Sequence, residues 1–395
     1  MVAAITAEPP VYKHPLFALT PDMTISPTLR ALAISLLLPL TALPGYGDSA
    51  TAPTQAPEYL PLEQLRSFYK LMPLPGERTE GTRTVGNSGT TITFGPGKRE
   101  LSIGGYRWQL SYPTREDSTG DLLISRTDYV KLFDPVLRPT YISERRVVRT
   151  VVIDPGHGGY DIGSPSDHVN EADFCLQLAM ELRDCLTRRG YSVILTREQS
   201  RHLSDQQRVL CANSADAAIF ISLHLNSGRS DISGIETYTA TPDTPGIQRR
   251  PANNHDAAST ALAFAVHSSL ISATGAQDGA CRRARYNLLN SIDCPAIMVL
   301  AGYATNKDEG TKLATAEYRT RLATAMADGI GTFARAINPD ATLKPSEPAA
   351  EPTPPAPTPT AAPVPAKPKA KPKAKPSTGK KPAPRRTPRR RNRRR

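Results

Sequence analysis

The chain has 395 residues, of which 39% are hydrophobic and 6% aromatic, with 38 prolines and a net charge of +12. Residues 341–395 hold 15 of those prolines and 16 lysines and arginines against two acids, Glu347 and Glu351, a net of +14, so residues 1–340 carry only −2. The body is therefore not a basic nucleic-acid-binding fold, and with no apolar run near the roughly 20 residues of a membrane span the chain is not a multi-span membrane protein.

Arg30 precedes a short apolar run, Ala31–Leu43, and small residues follow at Gly45, Gly47, Ser49 and Ala50. A cationic start, a short apolar stretch and a small-residue exit read as an export signal. The pattern is best framed from Met23, which leaves residues 1–22 as an upstream extension. The alternatives are a retained anchor or a short buried helix. Residues 1–50 are thus assigned to signal and extension, and residues 51–57 to a proline-bearing linker. Export places the protein in the periplasm or cell envelope, with no transmembrane span expected beyond the signal segment.

Residues 58–139 read as a small strand-rich domain. A helix is expected in LEQLRSFYKLM (62–72), then strands at Thr90–Phe94, Glu100–Ile103, Tyr106–Ser111 and Leu122–Ser125, separated by Gly and Asn clusters. The segments GGYRWQLSYP and GDLLISRTDYVKLFDP resemble, loosely, the copper amine oxidase-like N-terminal domain found beside envelope enzymes. No histidine spacing for copper is present, so no metal is expected there. The resemblance implies a scaffold or wall-binding role.

Residues 149–337 differ in kind. Strands are expected at Thr150–Asp154, Tyr191–Thr196, Ala217–His224, Ile235–Thr239 and Ala296–Ala301, alternating with helices at Glu171–Arg189, Gln206–Ser214, Asn254–Ser272 and Glu317–Ala336. That alternation predicts an α/β domain. In the first helix Phe174, Leu178, Leu182 and Cys185/Leu186 fall on one face. Asn170 is the expected N-cap with Asp173 at the third position, and Gly190 stops the helix. The fold class is α/β, a twisted, mostly parallel sheet flanked by helices, preceded by a small strand-rich α+β domain. A disordered basic tail follows over residues 338–395, where AKPKAKPKAK cannot bury a core.

The five cysteines, Cys175, Cys185, Cys211, Cys281 and Cys294, form no CxxC pair, which argues against a zinc finger. The odd number leaves at least one thiol unpaired in a monomer. Cys175 and Cys185 lie ten residues apart on one expected helix, about 15 Å, too far to bridge. Buried free thiols are expected for most of them.

Three candidate metal ligands fall at strand and helix ends. His157, in VVIDPGHGGYD, lies just past a strand, among glycines 156, 158 and 159 that permit tight turns. Glu171 opens the next helix, and His224 ends the strand AAIFISLHLN. Strand ends on one edge of a parallel sheet are where α/β sites form. Two imidazoles and a carboxylate leave a fourth position free for water, the open geometry of catalytic zinc, which acidifies that water and polarises a carbonyl. Taken singly, each residue also has a plain reading: a hydrogen-bonded loop histidine, or an acid favoured in a first helical turn.

In order, VVIDPGHGGYDIGS, NEADFCLQLAMELRDCLTRRGYSVILTR, ANSADAAIFISLHLNS, GIETY and CPAIMVLAGYATN closely resemble the zinc-dependent N-acetylmuramoyl-L-alanine amidases of the amidase-3 type, over about residues 149–337. The resemblance implies one Zn2+ ion on His157, Glu171 and His224, and cleavage of the amide joining the lactyl group of N-acetylmuramic acid to L-alanine in peptidoglycan. It also exposes a departure. The family carries a general-base glutamate two residues before the glycine of PAIMVLAGYATN, and here that position is Leu300. Losing a positioned acid/base costs on the order of 10²–10⁴ in rate. Glu236 in GIETY and Asp293 are the substitute carboxylates by motif position, although Glu236 also reads as structural and Asp293 as a solvated turn residue. DGACRRARY departs from the family's usual Arg-Gly run and puts the substrate-side loop in question.

Arg282, Arg283 and Arg285 either meet the carboxylates of a peptide stem or form a solvated basic loop. Asp154 and Asn226 either orient the imidazoles or cap strand ends, and Asn226 is also counted among the substrate-binding candidates. His168, His202, His255 and His267 read as ordinary surface or packing residues. Three functions follow: a secreted zinc amidase; a catalytically impaired relative that binds peptidoglycan or regulates its turnover, favoured by Leu300; and an arm that grips a polyanion through the tail. An export signal argues against nucleic acid as a partner and for anionic envelope polymers.

Overall fold

The computed structural model describes residues 57–74, 81–143, 145–241 and 255–341. The expected signal segment, all but the last residue of the linker, and nearly all of the basic tail lie outside the described residues.

Fourteen strands are described: β1 (Tyr59–Pro61), β2 (Met72–Pro73), β3 (Arg83–Gly86), β4 (Thr91–Phe94), β5 (Glu100–Ile103), β6 (Tyr106–Gln109), β7 (Arg115–Glu116), β8 (Leu122–Ser125), β9 (Thr150–Pro155), β10 (Ser192–Leu195), β11 (Ile219–Asn226), β12 (Ile235–Ala240), β13 (Asp278–Ala284) and β14 (Ala296–Tyr303). Eleven form one sheet in the order β10-β9-β11-β14-β12-β13-β6-β5-β4-β3-β2, and β1-β8-β7 form a small second sheet. The large sheet is mixed. β10, β9, β11 and β14 are mutually parallel, β12 runs antiparallel to β14, and β6 to β2 form an antiparallel meander.

The central strands are apolar on both faces because helices cover both. Val151, Ile153, Ile219 and Ile221 face α2 (Glu171–Arg188), α4 (Asp256–Thr274) and α7 (Ala316–Ile337). Val152, Phe220, Met298 and Leu300 face the other way, with Ala212 of α3 (Asp205–Ser214) and Leu288 and Leu289 of α5 (Asn287–Ser291). Helix α1 (Leu62–Tyr69) and a short α6 (Lys307–Leu313) are also described.

Helix α2 starts where its cap dictates: the Asn170 side chain accepts the Asp173 N–H at 3.0 Å. Phe174, Leu178, Leu182 and Leu186 are its buried stripe. Helix α4 has the length and hydropathy of a membrane span, yet 67% of that stretch is buried inside the protein, so it is a core helix. It is crossed closely by α7, where a Cβ on Gly329 would stand 2.6 Å from Val266 Cα.

Residues 278–284, expected as a loop, are strand β13, whose Cys281 pairs with Trp108 of β6. That single register point fuses the strand-rich segment to the sheet of residues 149–337. Adjacent side chains on a strand alternate faces. Arg282 therefore faces Glu236, while Arg283 points away and is buried. Its guanidinium donates to Ser111 Oγ at 2.6 Å and to the Lys131 carbonyl at 2.7 Å, and stands 3.4 Å from the fully buried Asp128 carboxylate. This corrects the expectation that Arg283 meets substrate: it is an internal ion pair. Two further ties cross the junction, Lys131 to Asp256 at 3.0 Å and the Arg107 N–H to Asp278 at 2.8 Å.

Candidate metal centre

The C-terminal ends of β9 and β11 and the first turn of α2 bring His157, His224 and Glu171 together. One ligand atom from each lies within 4.8 Å of the others. Glu171 Oε1 stands 3.1 Å from His157 Nε2 and 3.1 Å from His224 Nδ1. The two rings meet edge to face, 4.8 Å between centroids. The carboxylate is almost fully buried and also accepts the N–H of Leu225 at 2.9 Å and of Ser164 at 2.7 Å. Burial works against its charge, but the hydrogen bonds from both imidazoles and both amides prevail and hold Glu171 well below the usual carboxylate range. His157 is moved up, chiefly by its hydrogen bond to Glu171, against burial.

The loop that carries His157 is under strain and is clamped. His157 itself has φ = 57°, a left-handed conformation that costs a non-glycine residue on the order of 1–3 kcal/mol. Gly156 has no room for a side chain, since a Cβ there would stand 2.3 Å from His224 Cε1. Two buried arginines secure the loop from below. Arg197 donates to the carbonyls of Pro155 at 3.0 Å, Gly156 at 2.7 Å and Ala172 at 2.8 Å. Arg208 donates to Pro155 at 2.8 Å and to the His157 carbonyl at 3.0 Å, and is itself paired with buried Asp154 at 2.5 Å. Asp154 also accepts from Thr196 Oγ1 and Ser222 Oγ. It thus supports His157 through Arg208 and touches neither imidazole.

Asp161 accepts from His157 Nδ1 at 2.9 Å, which fixes the ring and leaves Nε2 facing Glu171. Its carboxyl is held below the ordinary range, against burial, by that bond and by the Gly163 amide. Such partners of a metal-bound histidine are worth about 10- to 100-fold in metal affinity. Asp161→Asn is accordingly expected to weaken divalent-metal binding by about that factor with the fold intact, as read by competition against a chromogenic chelator.

Across the sheet, His224 of β11 pairs with Leu300 of β14, and Leu300 pairs with Glu236 of β12. The three side chains share a face in one row, with buried Leu300 in the middle. Glu236 therefore stands two strand spacings, roughly 10 Å, from His224. Both its oxygens are taken: Oε2 accepts from Asn226 Nδ2 at 3.1 Å and the Tyr238 hydroxyl at 2.7 Å, and Oε1 accepts from the Tyr303 hydroxyl at 3.2 Å and faces Arg282 at 3.4 Å. This corrects its candidacy as a substitute base; it is the hub that ties β11, β12, β13 and β14 together. Asn226 and Arg282 are partners of that hub, and Arg285 is exposed. Asp293 is exposed and precedes the start of β14, seven residues before Leu300. His267 is buried between Thr237 and Asp278, 3.0 Å from each, a packing residue as expected. No disulfide joins any of the five cysteines, all of which lie among the described residues, and burial pushes the Cys175 and Cys281 thiols up.

Asp161, Arg197 and Arg208 were not singled out from the sequence. The i,i+4 spacing of Asp161 from His157 across a glycine turn was an available signal. Nothing local marks Arg197 or Arg208, because arginine is rarely buried.

Fold and donor set define an α/β protein whose sheet edge carries a three-ligand site fit for a metal ion. A family model described as N-acetylmuramoyl-L-alanine amidase matches residues 151–332. The N-acetylmuramoyl-L-alanine amidase CwlM of Bacillus licheniformis is 30% identical over 190 residues, 48% of this chain and 68% of that protein. The sporulation-specific N-acetylmuramoyl-L-alanine amidase of Bacillus subtilis is 31% identical over 182 residues, 46% of this chain and 66% of that protein. Among solved structures, the catalytic domain of the amidase CwlV from Bacillus (Paenibacillus) polymyxa var. colistinus is 30% identical, covers 47% of this chain and 97% of that one, and superposes with a TM-score of 0.42. The chain belongs to the N-acetylmuramoyl-L-alanine amidase family of cell-wall hydrolases. Residues 57–143 and the basic tail lie outside the family match.

Proposed function

We propose that the protein hydrolyses the amide between N-acetylmuramic acid and L-alanine in peptidoglycan, with zinc held by His157, Glu171 and His224. The observation that carries this reading is the convergence of those three donors within 4.8 Å at one sheet edge. Two imidazole nitrogens and a carboxylate oxygen are the donor chemistry of an open zinc site, and a zinc ion there supplies a Lewis acid that polarises the scissile carbonyl and acidifies a water.

The remaining work falls to the chain's own side chains. Asp161 fixes the His157 ring, and Arg197 and Arg208 hold the loop backbone. Leu300 walls the site beside His224 and can neither accept nor give a proton. Slow turnover is the consequence. Leu300 favours a second reading, a family member that keeps the metal and grips peptidoglycan without turning it over.

Purified full-length protein on isolated sacculi separates the two. Chelator-sensitive release of stem peptides with free N-terminal L-alanine supports the hydrolase. Metal-dependent retention with no release supports the second reading.

An exported, envelope location fits both readings. The tail's 16 cations suit anionic envelope polymers. Residues 58–139 serve as a scaffold: the Arg107 backbone N–H holds Asp278 of β13, and Lys131 holds Asp256 at the start of α4.

A further inference from the structure

Tyr160 sits three residues after His157, so its Cα is at most about 11 Å along the chain from that ligand. It is 81% exposed, more than any other large hydrophobic side chain among the described residues. Its ring is not loose. It stacks on His202 with 4.4 Å between centroids and 30° between planes. The turn beneath it is closed by reciprocal backbone bonds between Gly158 and Asp161, at 2.8 and 3.3 Å, and Asp161 is tied to His157. The Gly159 N–H reaches Ser200 Oγ on the loop that carries His202. A flat aromatic face is thus presented to solvent in a fixed position relative to the metal ligands.

The protein's own interior does not explain this exposure, because neither ring packs into the core. The chemistry that fits it is a pyranose ring. One face of such a sugar is apolar C–H, and its hydroxyl and acetamido groups remain in water when that face lies on an aromatic ring. Charge separates the two halves of the substrate in the same sense. Exposed Arg285 lies just past β13, beyond the Leu300 row, where carboxylates of a peptide stem would be drawn, while Arg282 beside it is held on Glu236 and the Gly279 carbonyl. On the Tyr160 side, Arg201 is turned back onto the Thr196 carbonyl.

We propose that the Tyr160–His202 stack is a glycan subsite that takes an N-acetylated pyranose ring of the peptidoglycan strand, with the stem peptide directed toward β13. The inference rests on the peptidoglycan reading above, and its test does not require turnover.

Full-length zinc-loaded protein is titrated separately with two probes. One is a peptide-free tetrasaccharide of alternating N-acetylglucosamine and N-acetylmuramic acid, and the other is a free stem tripeptide. Tyr160→Ala is expected to weaken tetrasaccharide binding about tenfold, Tyr160→Trp to restore it, and neither to move tripeptide binding by more than about twofold. Zinc content and the unfolding midpoint of each variant confirm an intact site. Native-like tetrasaccharide affinity in Tyr160→Ala, no tetrasaccharide binding to the native protein, or equal loss for both probes would overturn the subsite. Tyr160-dependent glycan binding in a protein that releases no stem peptide would leave the subsite standing and remove only the hydrolase reading.

Discussion

Replacing Leu300 with glutamate is expected to raise stem-peptide release by about 10²- to 10⁴-fold, the usual worth of a positioned general acid/base. The expectation comes from the register of three strands. Leu300 is the direct neighbour of His224 on β14, on the same face and one strand away. A carboxylate at that position would stand beside the metal ligands, where a zinc ion would favour its charged form. Glu236, the next residue in the row, does not substitute, because four donors already hold its oxygens. The measurement is kcat on soluble muropeptide for the native chain and for Leu300→Glu, with Leu300→Gln as the control that adds polarity without basicity. A native rate equal to that of Leu300→Glu would show that another group on this chain or on the substrate already moves the proton.

The second large effect concerns the junction between the two halves of the sheet. Arg283→Met should destabilise the protein by about 3 kcal/mol, the lower end of what breaking a buried ion pair costs. The lower end applies because Asp128 keeps other donors: the N–H of Ser111 and of Tyr112, and the Ser125 hydroxyl. Burial already works against the Arg283 charge, lowering its pKa. Adding Asp128→Asn to Arg283→Met should recover part of the loss by removing the stranded charge. Urea unfolding midpoints measure both. A loss below about 1 kcal/mol, the range of an exposed pair, would mean that the junction is solvated.

The metal ligands were legible because each sits where local sequence rules are strong. Two lie at the ends of apolar strand runs and one opens a capped helix with an apolar stripe. Strand β13 was hidden for the opposite reason. Its two arginines and Asp278, with Arg285 just beyond, resemble a solvated loop, and only the partners on each face, Glu236 for Arg282 and Asp128 for Arg283, make a strand of it. The pairing of Cys281 with Trp108 joins residues 173 positions apart, a contact that no local pattern encodes. The same holds for Arg197 and Arg208. Their value lies in carbonyls of a loop some 40 to 50 residues upstream, so the sequence shows the ligands but not what keeps them in place.

The central claim is that His157, Glu171 and His224 share one metal ion, and X-ray absorption at the zinc edge of the loaded full-length protein tests it most directly. The account predicts one zinc per chain in a nitrogen and oxygen shell at about 2.0–2.1 Å with the scattering of two imidazoles, and loss of stoichiometric zinc in His224→Ala. A shell containing sulfur at about 2.3 Å, or full zinc retention in His224→Ala, would contradict it.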